Sequence, residues 1–346
     1  MTSDPAIKGL RPDSVSDWLE GNVDGLRPPF RFERIIGGHS NLTYKISDAS
    51  GRRAVLRRPP TGSVLATAHD MAREYRIVTA IGRSSVPVPT TYALCEDVQV
   101  NDAPFYVMDY FEGTVLNDAQ TTEALLDESA RRRLSEHTAE VLADLHAIDP
   151  DTIDLGDLAK REDYIARQLK RWKGQWEKSK TRELPEMDEV FAGLSSNIPK
   201  QSGSGIVHGD YRLGNMLVSE KGRILALLDW ELCTLGDTLA DVGYLMNNWF
   251  QPDEPSTDGA AAFGPTSIGC FSTREEFVAR YSELSGRKVS SINYYRAFQY
   301  WRLAAIVEGV LSRYLKGVMA NEADTDVFRK QVDGMAISAL ELIRDI

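Results

Sequence analysis

VHGDYRLGNMLVSEKGRILALLDWELCTLGDTLADVGYL, residues 207–245, contains two short apolar runs, MLV and ILALL, that are typical of neighbouring core strands. Four polar side chains lie around the ends of these runs: Asp210, Asn215, Asp229 and Glu231. Buried strands rarely carry so many carboxylates and amides, because a polar group taken out of water costs free energy unless it is paired. The density of polar groups therefore indicates a functional site at the ends of the two strands.

Three of these residues follow one another in a specific order. Asn215 comes five residues after Asp210, and Asp229 comes after a predicted hairpin; kinases place their catalytic aspartate, metal-binding asparagine and metal-binding aspartate in the same order. Oxygen ligands of this kind suit a Mg²⁺ ion that bridges phosphates. We therefore predict that Asp210 orients the acceptor hydroxyl and accepts its proton, and that Asn215 and Asp229 are magnesium ligands.

Each residue taken alone has an ordinary structural explanation. Asp210 or Asp229 could cap a helix or form a turn, and Asn215 could be a turn residue. We interpret His208 as a structural histidine, and no role is predicted for Glu231. The ordered set between two apolar strands is much harder to obtain by chance, and for this reason we favour the functional interpretation.

Composition narrows the class of protein. The chain has 346 residues, which is long enough for two domains or two lobes, and its hydrophobic and charged fractions of 42% and 26% are ordinary for a globular protein. Its net charge of −11 argues against general nucleic-acid binding, because a nucleic-acid-binding protein needs a basic face.

The cysteines and the N-terminus indicate an intracellular protein. Cys95, Cys233 and Cys270 are odd in number and lack the CxxC spacing, so they predict neither a disulfide framework nor a zinc site. The N-terminal residues contain no apolar signal region, and no stretch reaches the roughly 18 apolar residues of a membrane span. We therefore expect a cytoplasmic protein without a membrane partner.

The first part of the chain, residues 1–110, predicts a small β-rich lobe. Short apolar and β-branched runs separated by glycine and proline indicate five antiparallel strands, and a helical pattern interrupts them once. The strands lie around 34–36, 41–46 and 53–58 and in the segments VPVPTTYALCED and APFYVMDYFEG, which a turn at Asn101-Asp102 joins; the helix spans 66–82.

The second part, residues 111–346, predicts a larger and mostly helical lobe. Helical spacing of apolar residues recurs over long segments, and the only strand-like pair is that of the opening stretch. Residues 251–268 read as a loop rich in glycine, proline and acids. The predicted helices are 132–148, 161–179, 273–285, 289–316 and 324–344.

The first lobe contains residues suited to holding phosphate. In IIGGHSNLTYKI, the small residues Gly37, Gly38 and Ser40 lie at a turn between strands, where backbone N–H groups can approach phosphate oxygens. Arg57 occupies the strand position at which kinases keep a phosphate-binding lysine, and Glu74 on the next helix is its natural partner. An ordinary hairpin and a surface ion pair would explain these residues equally well, but the motif of the second lobe favours phosphate.

The motifs together resemble those of the aminoglycoside phosphotransferase and choline kinase-like family. HGDYRLGNMLV is similar to the family's Brenner-type catalytic motif, and LLDWE is similar to its metal motif, with Asp229 in the place of the kinase DFG aspartate. LADLHAID resembles a helix ending of the family, and Asp241 matches a helix aspartate that braces the catalytic loop. The resemblance covers roughly residues 30 to 340, and VLRRPP and LGDTLADVGYL look closest to the phosphotransferase domain associated with acyl-CoA dehydrogenases.

This resemblance implies an α+β, protein kinase-like bilobal fold, with a small five-stranded antiparallel N-lobe and a larger, mostly helical C-lobe. It implies ATP and Mg²⁺ as cofactors and the transfer of the γ-phosphoryl group to a hydroxyl of a small molecule. YVMDYFEG resembles the interlobe hinge, so backbone groups of Met108, Asp109 and Tyr110 would meet the adenine. Arg57 replaces the usual lysine, as in the choline kinase-like branch, and an arginine can still fork onto two oxygens.

The sequence leaves alternatives open for the identity of the acceptor and for whether the protein is catalytic. The segment from Asn293, expected to line the acceptor cleft, is aromatic and apolar, with Arg302, Arg313 and Lys316 against one Glu308, which suits a hydroxyacyl-CoA-type acceptor better than a polycationic aminoglycoside. The acids Asp253, Glu254 and Asp258 keep a 3'-type aminoglycoside phosphotransferase open. A non-catalytic, pseudokinase-like nucleotide-binding module would have lost one of the three motif residues, and none is lost. No A-P-E segment follows Asp229, which disfavours a protein kinase, and the sequence leaves the oligomeric state open.

Overall fold

In a computed structural model, two compact units account for the described residues, which are 7–36, 41–61, 69–201, 203–252, 254, 264–318, 323–344 and 346. The first unit contains the described residues up to Gly113 together with Leu225–Glu231, and the second contains Thr114–Ile224 and the described residues from Leu232 onward. The segment Leu225–Glu231, which contains most of the strand before the metal motif and the motif itself, thus belongs to the same unit as the β-rich part of the chain. The assignment of nucleotide binding to 1–110 and of catalysis to 111–346 stays a prediction.

The first unit contains the predicted five-stranded antiparallel sheet. Its strands follow the spatial order β1-β2-β3-β5-β4, so that β3 lies in the centre between β2 and β5. In this register Arg57 on β3 lies opposite Tyr106 on β5. The strands are β1 (Arg31–Ile35), β2 (Leu42–Ser47), β3 (Arg53–Arg58), β4 (Thr91–Cys95) and β5 (Phe105–Asp109).

Three helices accompany this sheet: α1 (Pro12–Asn22), α2 (Met71–Ile81) and α3 (Val98–Asn101). The helix predicted over 66–82 is observed as α2 from Met71 onward, and residues 66–68 lie outside the described residues. Asp70 caps it, since its carboxylate accepts a hydrogen bond from the backbone N–H of Arg73. The predicted turn at Asn101-Asp102 is preceded by α3, a single turn of helix that is too short to show a periodic apolar pattern.

Side chains of the central strand β3 pack alternately into two apolar clusters, because successive side chains of a strand point to opposite faces of the sheet. Leu56 belongs to a cluster that includes residues of α1, whereas Val55 packs with residues of α2 and β5. The arginines that follow obey the same alternation: Arg57 reaches α2, and Arg58 donates to the backbone oxygen of Asn101 at 3.1 Å. The sheet thus delivers Arg57 to the α2 face, as the sequence predicted.

The second unit consists mainly of helices. In it α10 packs against α6, α7, α8 and α11, and α5 packs against α9. The five long helices predicted from sequence are observed with small shifts of their ends, whereas α4 and α7 were not predicted. No helix in the described part of the chain combines the length and apolarity that a membrane crossing requires. The helices are α4 (Ala119–Leu125), α5 (Glu128–Ala147), α6 (Tyr164–Ser179), α7 (Pro185–Ser196), α8 (Leu239–Asn247), α9 (Arg274–Ser285), α10 (Ile292–Leu315) and α11 (Thr325–Arg344).

Short strands of the second unit position the loop that contains Asp210. The strand β6 (Thr114–Val115) pairs with β8 (Met216–Val218), and β7 (Gly205–Val207) pairs antiparallel with β10 (Thr234–Gly236). The remaining strand, β9, spans Ile224–Leu227. The prediction of a single strand pair in this half was wrong, because three-residue strands are too short to show alternation. The pairing of β7 with β10 brings the chain before Asp210 next to the start of α8.

Candidate functional site

The first unit brings together three of the predicted site residues. The Nε atom of Arg57 lies 3.0 Å from Oε1 of Glu74, and its Nη2 atom lies 2.6 Å from Oδ1 of Asp229. The exposed fractions of these side chains are 14%, 3% and 26%, respectively. The predicted Arg57–Glu74 pair is thus present, and Asp229 completes a partly buried cluster of one cation and two carboxylates.

The backbone around Asp229 explains how its carboxylate reaches Arg57. The N–H of Leu227 donates to the oxygen of Pro87 at 2.7 Å, which fixes the end of β9 within the first unit. Asp229 itself has a φ of 66°, in the left-handed region that residues other than glycine seldom adopt. Such a conformation costs free energy on the order of 1 kcal/mol and is often found at functional sites.

Burial and charge act in opposite directions on this cluster. Burial raises the pKa of Glu74, and the charge of Arg57 opposes that rise. For Arg57, burial alone would lower the pKa, but Glu74, Tyr106 and Asp229 raise it overall. The Tyr106 hydroxyl hydrogen-bonds to Glu74, and its own pKa is raised by burial and by that carboxylate. Arg57 therefore keeps its charge, and the cluster needs it to offset the buried Glu74.

Glu231, for which the sequence predicted no role, ties the same segment to the rest of the first unit. Its Oε2 atom accepts a hydrogen bond from Nδ2 of Asn41 at 3.4 Å and lies 3.6 Å from Nδ1 of His69. Nη1 of Arg73 donates to the backbone oxygen of Glu231 at 3.4 Å. Burial and the neighbouring Arg57 lower the pKa of His69, so this histidine is neutral near pH 7. These contacts connect Glu231 to the start of β2 and to α2.

The predicted adenine-binding backbone lies at the end of β5. Met108 is buried in the cluster with Val55, and the N–H of Asp109 donates to the oxygen of Thr90 at 2.8 Å. The N–H of Tyr110 donates to the Asp109 carboxylate at 2.9 Å, so an adenine that used this N–H would have to compete with the carboxylate. The adenine contact stays a prediction, and Gly37, Gly38 and Ser40 lie outside the described residues.

In the second unit, Asn215 fixes Asp210. The amide nitrogen of Asn215 donates to the backbone oxygen of Asp210 at 2.9 Å and to its Oδ2 atom at 2.7 Å. The other carboxylate atom, Oδ1, is buried and has no hydrogen-bond partner among the described residues, although Nε of Arg212 lies 3.3 Å away. The Tyr244 hydroxyl also contacts Asp210, and burial together with that carboxylate raises its pKa. Asp210 is thus oriented through Oδ2, while Oδ1 forms an ion-pair contact with Arg212 and accepts no hydrogen bond from the described residues.

A buried brace holds the backbone just before Asp210. Asp241 on α8 is fully buried and accepts hydrogen bonds from the N–H groups of His208 at 2.6 Å and Gly209 at 2.8 Å. His146 on α5 places its Nε2 atom 3.3 Å from Asp241 and its Nδ1 atom 2.8 Å from the hydroxyl of Tyr281. Burial lowers the pKa of His146, so the charge of Asp241 is stabilised mainly by backbone dipoles. The expected contact between Asp241 and the loop is present, whereas the contribution of His146 was not predicted.

A cavity of about 310 Å³ lies beside this loop within the second unit. Arg212 lines it, and the carboxylate of Asp118 at its wall is engaged in capping α4, where it accepts from the N–H and hydroxyl of Thr121. The position of Arg212, two residues after Asp210, was the available sequence signal for this cavity, and the prediction missed it. Its apolar walls come from Leu116, Leu213, Phe250 and Pro265.

The chemistry of two oxygen donors suits a hard divalent cation. The amide nitrogen of Asn215 donates to Asp210, so the amide oxygen of Asn215 is the atom left to bind a metal. The carboxylate of Asp229 is partly exposed. The described residues contain no cluster of three or more His, Cys, Asp or Glu that could hold a metal ion. Mg²⁺ takes few protein ligands and binds water and substrate phosphates as well. Each of these oxygens, considered within its own unit, has the chemistry of an Mg²⁺ ligand, and the magnesium site itself stays a prediction.

The chain matches known proteins along most of its length. A family model described as "Phosphotransferase enzyme family" matches residues 31–276. Acyl-CoA dehydrogenase family member 10 of Mus musculus is 36% identical over 327 residues, which cover 94% of this chain and 30% of that protein. The chain thus spans less than a third of the length of this relative.

Solved structures show the same fold. A Ralstonia eutropha protein provisionally named an aminoglycoside phosphotransferase is 31% identical with a TM-score of 0.82, over 97% of this chain and 99% of that chain. A thermostable mutant of the aminoglycoside phosphotransferase APH(4)-Ia, in complex with ADP and hygromycin B, is 16% identical with a TM-score of 0.60, over 94% and 98% of the two chains. At that identity the second match supports the fold alone. The α+β, kinase-like fold class expected from the sequence is confirmed.

Proposed function

Since the chain belongs to the phosphotransferase enzyme family, we propose that it transfers the γ-phosphoryl group of ATP to a hydroxyl group of a small molecule. The resemblance read from the sequence motifs, including that to acyl-CoA dehydrogenase-associated domains, is confirmed by the family and relatives that the chain matches. The observation that carries the proposal is the state of Asp210, whose buried Oδ1 atom has no hydrogen-bond donor among the described residues.

Asp210 would act as the proton acceptor. An acceptor hydroxyl beside Oδ1 would donate its hydrogen bond there, and Asn215 keeps the carboxylate oriented through Oδ2. The hydroxyl oxygen attacks the γ-phosphorus, the bond from that phosphorus to the β–γ bridging oxygen breaks, and ADP leaves. The hydroxyl proton passes to Asp210. Such a transfer depends mainly on positioning and charge neutralisation, which a few well-held residues can supply.

Arg57 would bind the phosphates of ATP. Its present partners are Glu74 and Asp229, and an arriving triphosphate offers several charged oxygens to its planar, forked donors. Arg57 would then exchange the Asp229 carboxylate for phosphate oxygens while Glu74 continues to orient it. This exchange releases Asp229 to serve, together with Asn215, as a ligand of the cation.

The remaining nucleotide contacts follow the same proposal. Mg²⁺ held by Asn215 and Asp229 would neutralise charge on the phosphates. Gly37, Gly38 and Ser40 would cover the phosphates with backbone N–H groups. The backbone of residues 108–110 would meet the adenine, in competition with the Asp109 carboxylate for the N–H of Tyr110.

For the acceptor, we propose a molecule of the hydroxyacyl-CoA type. The supporting observations are the match to an acyl-CoA dehydrogenase family member and the apolar cavity walls beside the Asp210 loop. The alternative, an aminoglycoside, would need free carboxylates. Glu254, one of the acids that kept this alternative open, pairs with Arg274 at 2.8 Å, and Asp118 caps a helix; Asp253 and Asp258 lie outside the described residues.

A phosphotransfer screen tests this function. The purified chain is incubated with Mg²⁺ and γ-labelled ATP against hydroxyacyl-CoAs, aminoglycosides and amino alcohols, and labelled products are quantified. Asp210→Asn should reduce turnover by about 10³-fold, because an amide cannot accept the proton, while nucleotide affinity stays within about twofold. Asp17→Asn, the same change on the exposed face of α1, serves as the matched control.

The possible outcomes separate the alternatives. Full turnover in Asp210→Asn would reject the role of Asp210 in proton transfer. Nucleotide binding without transfer to any compound of the panel would instead favour the non-catalytic, pseudokinase-like module.

A further inference from the structure

Arg302 on α10 is a buried cation without a carboxylate partner. It is 8% exposed, and no Asp or Glu of the described residues lies within 4.0 Å of its guanidinium. Its Nη1 atom donates to Oε1 of Gln299 at 2.8 Å, and its two Nη atoms lie 3.4 and 3.5 Å from the backbone oxygen of Gly209. The ring of Trp172 lies 5.5 Å from Cζ. The guanidinium thus donates one short hydrogen bond to a neutral amide and two long ones to a backbone carbonyl, with no carboxylate among the described residues to balance its charge.

Other buried arginines of this protein are compensated. Arg274, with a side chain 14% exposed, pairs with Glu254 at 2.8 Å. Arg58 has no carboxylate partner either, but it donates to the backbone oxygens of Gly9, Pro59 and Asn101. Burying a charge is expensive unless it is paired and hydrogen-bonded. Arg302 shares with Arg58 the lack of a carboxylate partner among the described residues, but its contacts with the backbone oxygen of Gly209 are longer, at 3.4 and 3.5 Å.

The position of Arg302 connects it with Asp210. Its acceptor Gly209 immediately precedes Asp210, and the Tyr244 hydroxyl that contacts Asp210 is affected by the charges of both Arg212 and Arg302. Arg212 also forms the ion pair with Asp210 and lines the cavity. Arg212 thus contacts the proton acceptor directly, Arg302 holds the carbonyl of the residue before it, and the carboxylate of Asp118 at the cavity wall is committed to a helix cap.

We propose that Arg302, assisted by Arg212, binds an oxyanion of the acceptor, so that the protein selects a hydroxylated anion over a polycation or a neutral alcohol. This inference rests on the proposed phosphotransfer and deepens it by defining the charge of the acceptor. The negative group lies on the two guanidinium groups while the hydroxyl donates to Oδ1 of Asp210. The oxyanion is either the carboxylate of a free hydroxy acid or a phosphate of the CoA carried by a hydroxyacyl thioester.

The anion would compensate Arg302 and also protect the reaction. Without it, the guanidinium groups would compete for the carboxylate of Asp210 and lower its ability to accept a proton. With it, Arg212 has a second anion to bind besides Asp210. A polycationic acceptor would instead place like charges against Arg302 and Arg212, which is strongly unfavourable in a partly buried site.

The test compares straight-chain hydroxy acids of four to eight carbons in three forms: free acid, primary amide and CoA thioester. Arg302→Met should raise the KM for the anionic acceptor by about 30-fold, as expected for loss of a charge-assisted hydrogen bond, while the KM for ATP stays within about twofold. The primary amide should be a poor substrate whose KM does not respond to the substitution. Preference for the free acid or for the thioester identifies the source of the oxyanion.

Two further variants keep the test interpretable. Arg302→Lys retains the charge and should recover most of the affinity, whereas Arg313→Met, an exposed position on the same helix, should change nothing. Thermal unfolding shows whether Arg302→Met folds. If it does not, the KM values for the acid and the amide are compared in Arg302→Lys and Arg302→Gln instead. Equal use of acid and amide by the unmodified protein, or an equal KM increase for both in Arg302→Met, would overturn the proposal.

Binding separates this inference from the proposed phosphotransfer. Calorimetric titration of the same hydroxy acids and thioesters into the Asp210→Asn protein requires no turnover. Binding that Arg302→Met weakens, together with no phosphotransfer by the unmodified protein, would support the anion site and reject the enzymatic function. Absence of binding of every anionic probe would reject the anion site itself.

Discussion

Two buried arginines, one in each unit, are compensated in opposite ways. Arg57 in the first unit has a carboxylate on either side, Glu74 at 3.0 Å and Asp229 at 2.6 Å. Arg302 in the second unit has a neutral amide, a distant backbone carbonyl and an aromatic ring. A paired cation stabilises its surroundings and must exchange a partner to bind a ligand, whereas an unpaired cation is ready to bind an anion.

The carboxylates of the two units differ in the same sense. Glu74 depends on the opposite charge of Arg57, while Asp241 depends on two backbone N–H groups and a neutral histidine. In the first unit, therefore, a buried carboxylate is stabilised by an opposite charge, whereas in the second unit it is stabilised by backbone N–H dipoles. Substitutions that remove one charge at a time can measure this difference.

The largest effect on stability is expected in the first unit. Arg57→Met leaves the buried carboxylate of Glu74 without its counter-ion, and we expect the free energy of unfolding to fall by about 3 kcal/mol. Urea unfolding measures this change. The double variant Arg57→Met with Glu74→Gln removes both charges and should recover much of the loss, since two neutral groups cost less than one unpaired charge.

A double variant no more stable than Arg57→Met would contradict this view of the pair. Arg57→Lys is the matched control for the proposed function. It keeps the charge but loses the fork, so stability should change little while the KM for ATP rises several-fold.

A smaller effect is expected from Asp241→Asn in the second unit. The amide retains one accepting oxygen but presents N–H groups to the second backbone donor, so we expect a loss of about 2 kcal/mol in the free energy of unfolding. The loop before Asp210 should also lose its position, which lowers kcat and leaves nucleotide affinity unchanged. Asp326→Asn, at an exposed surface pair with Arg329, is the control, and an unchanged kcat would show that Asp210 does not depend on this brace.

The smallest effect is expected at a neutral, partly buried side chain rather than at an ion. His137 on α5 accepts a hydrogen bond at Nδ1 from the N–H of Ile224, and burial and the nearby Arg223 lower its pKa to about 4. Because its folded pKa lies below the unfolded value of 6.5, the unfolded state binds more protons between these two values. Its contribution to stability is therefore complete above pH 6.5 and is lost as the pH falls toward 4.

Since His137 is only partly buried, we expect this loss to be about 1 kcal/mol after allowing for solvent screening. Urea unfolding at pH 7, 5.5 and 4.5 compares the unmodified protein with His137→Gln. The glutamine can still accept the hydrogen bond but cannot be protonated, so it should reduce the pH dependence over this range. An identical pH dependence in both proteins would show that another group is responsible.

Long periodic patterns made the fold predictable. The five strands and α2 of the first unit and the long helices of the second follow from apolar periodicity, because each buries one face over many residues. Most of the elements that were missed are short, namely α3, α4, and the strands β7 and β10, although α7, with 12 residues, was missed as well. A three-residue strand carries too little pattern to be seen, although the pairing of β7 with β10 places the Asp210 loop.

The contacts of the site also fall into two groups, those that a local sequence motif indicates and those that it does not. Asp210 and Asn215 are five residues apart, and their mutual hydrogen bond could be anticipated from a local motif. The contacts of Arg302 with Gly209 and of His146 with Asp241 join residues 93 and 95 positions apart. Neither contact has a local signature, so neither could be anticipated.

The sequence by itself determined which chemical groups are available and in what order, and from this the family and the class of reaction follow. The tertiary structure decided which charges are compensated. It joined Arg57 to Asp229 across 172 positions and left Arg302 without a carboxylate among the described residues. The reason is physical: the free energy of a charge depends on its burial and on its neighbours, and packing of distant segments sets both.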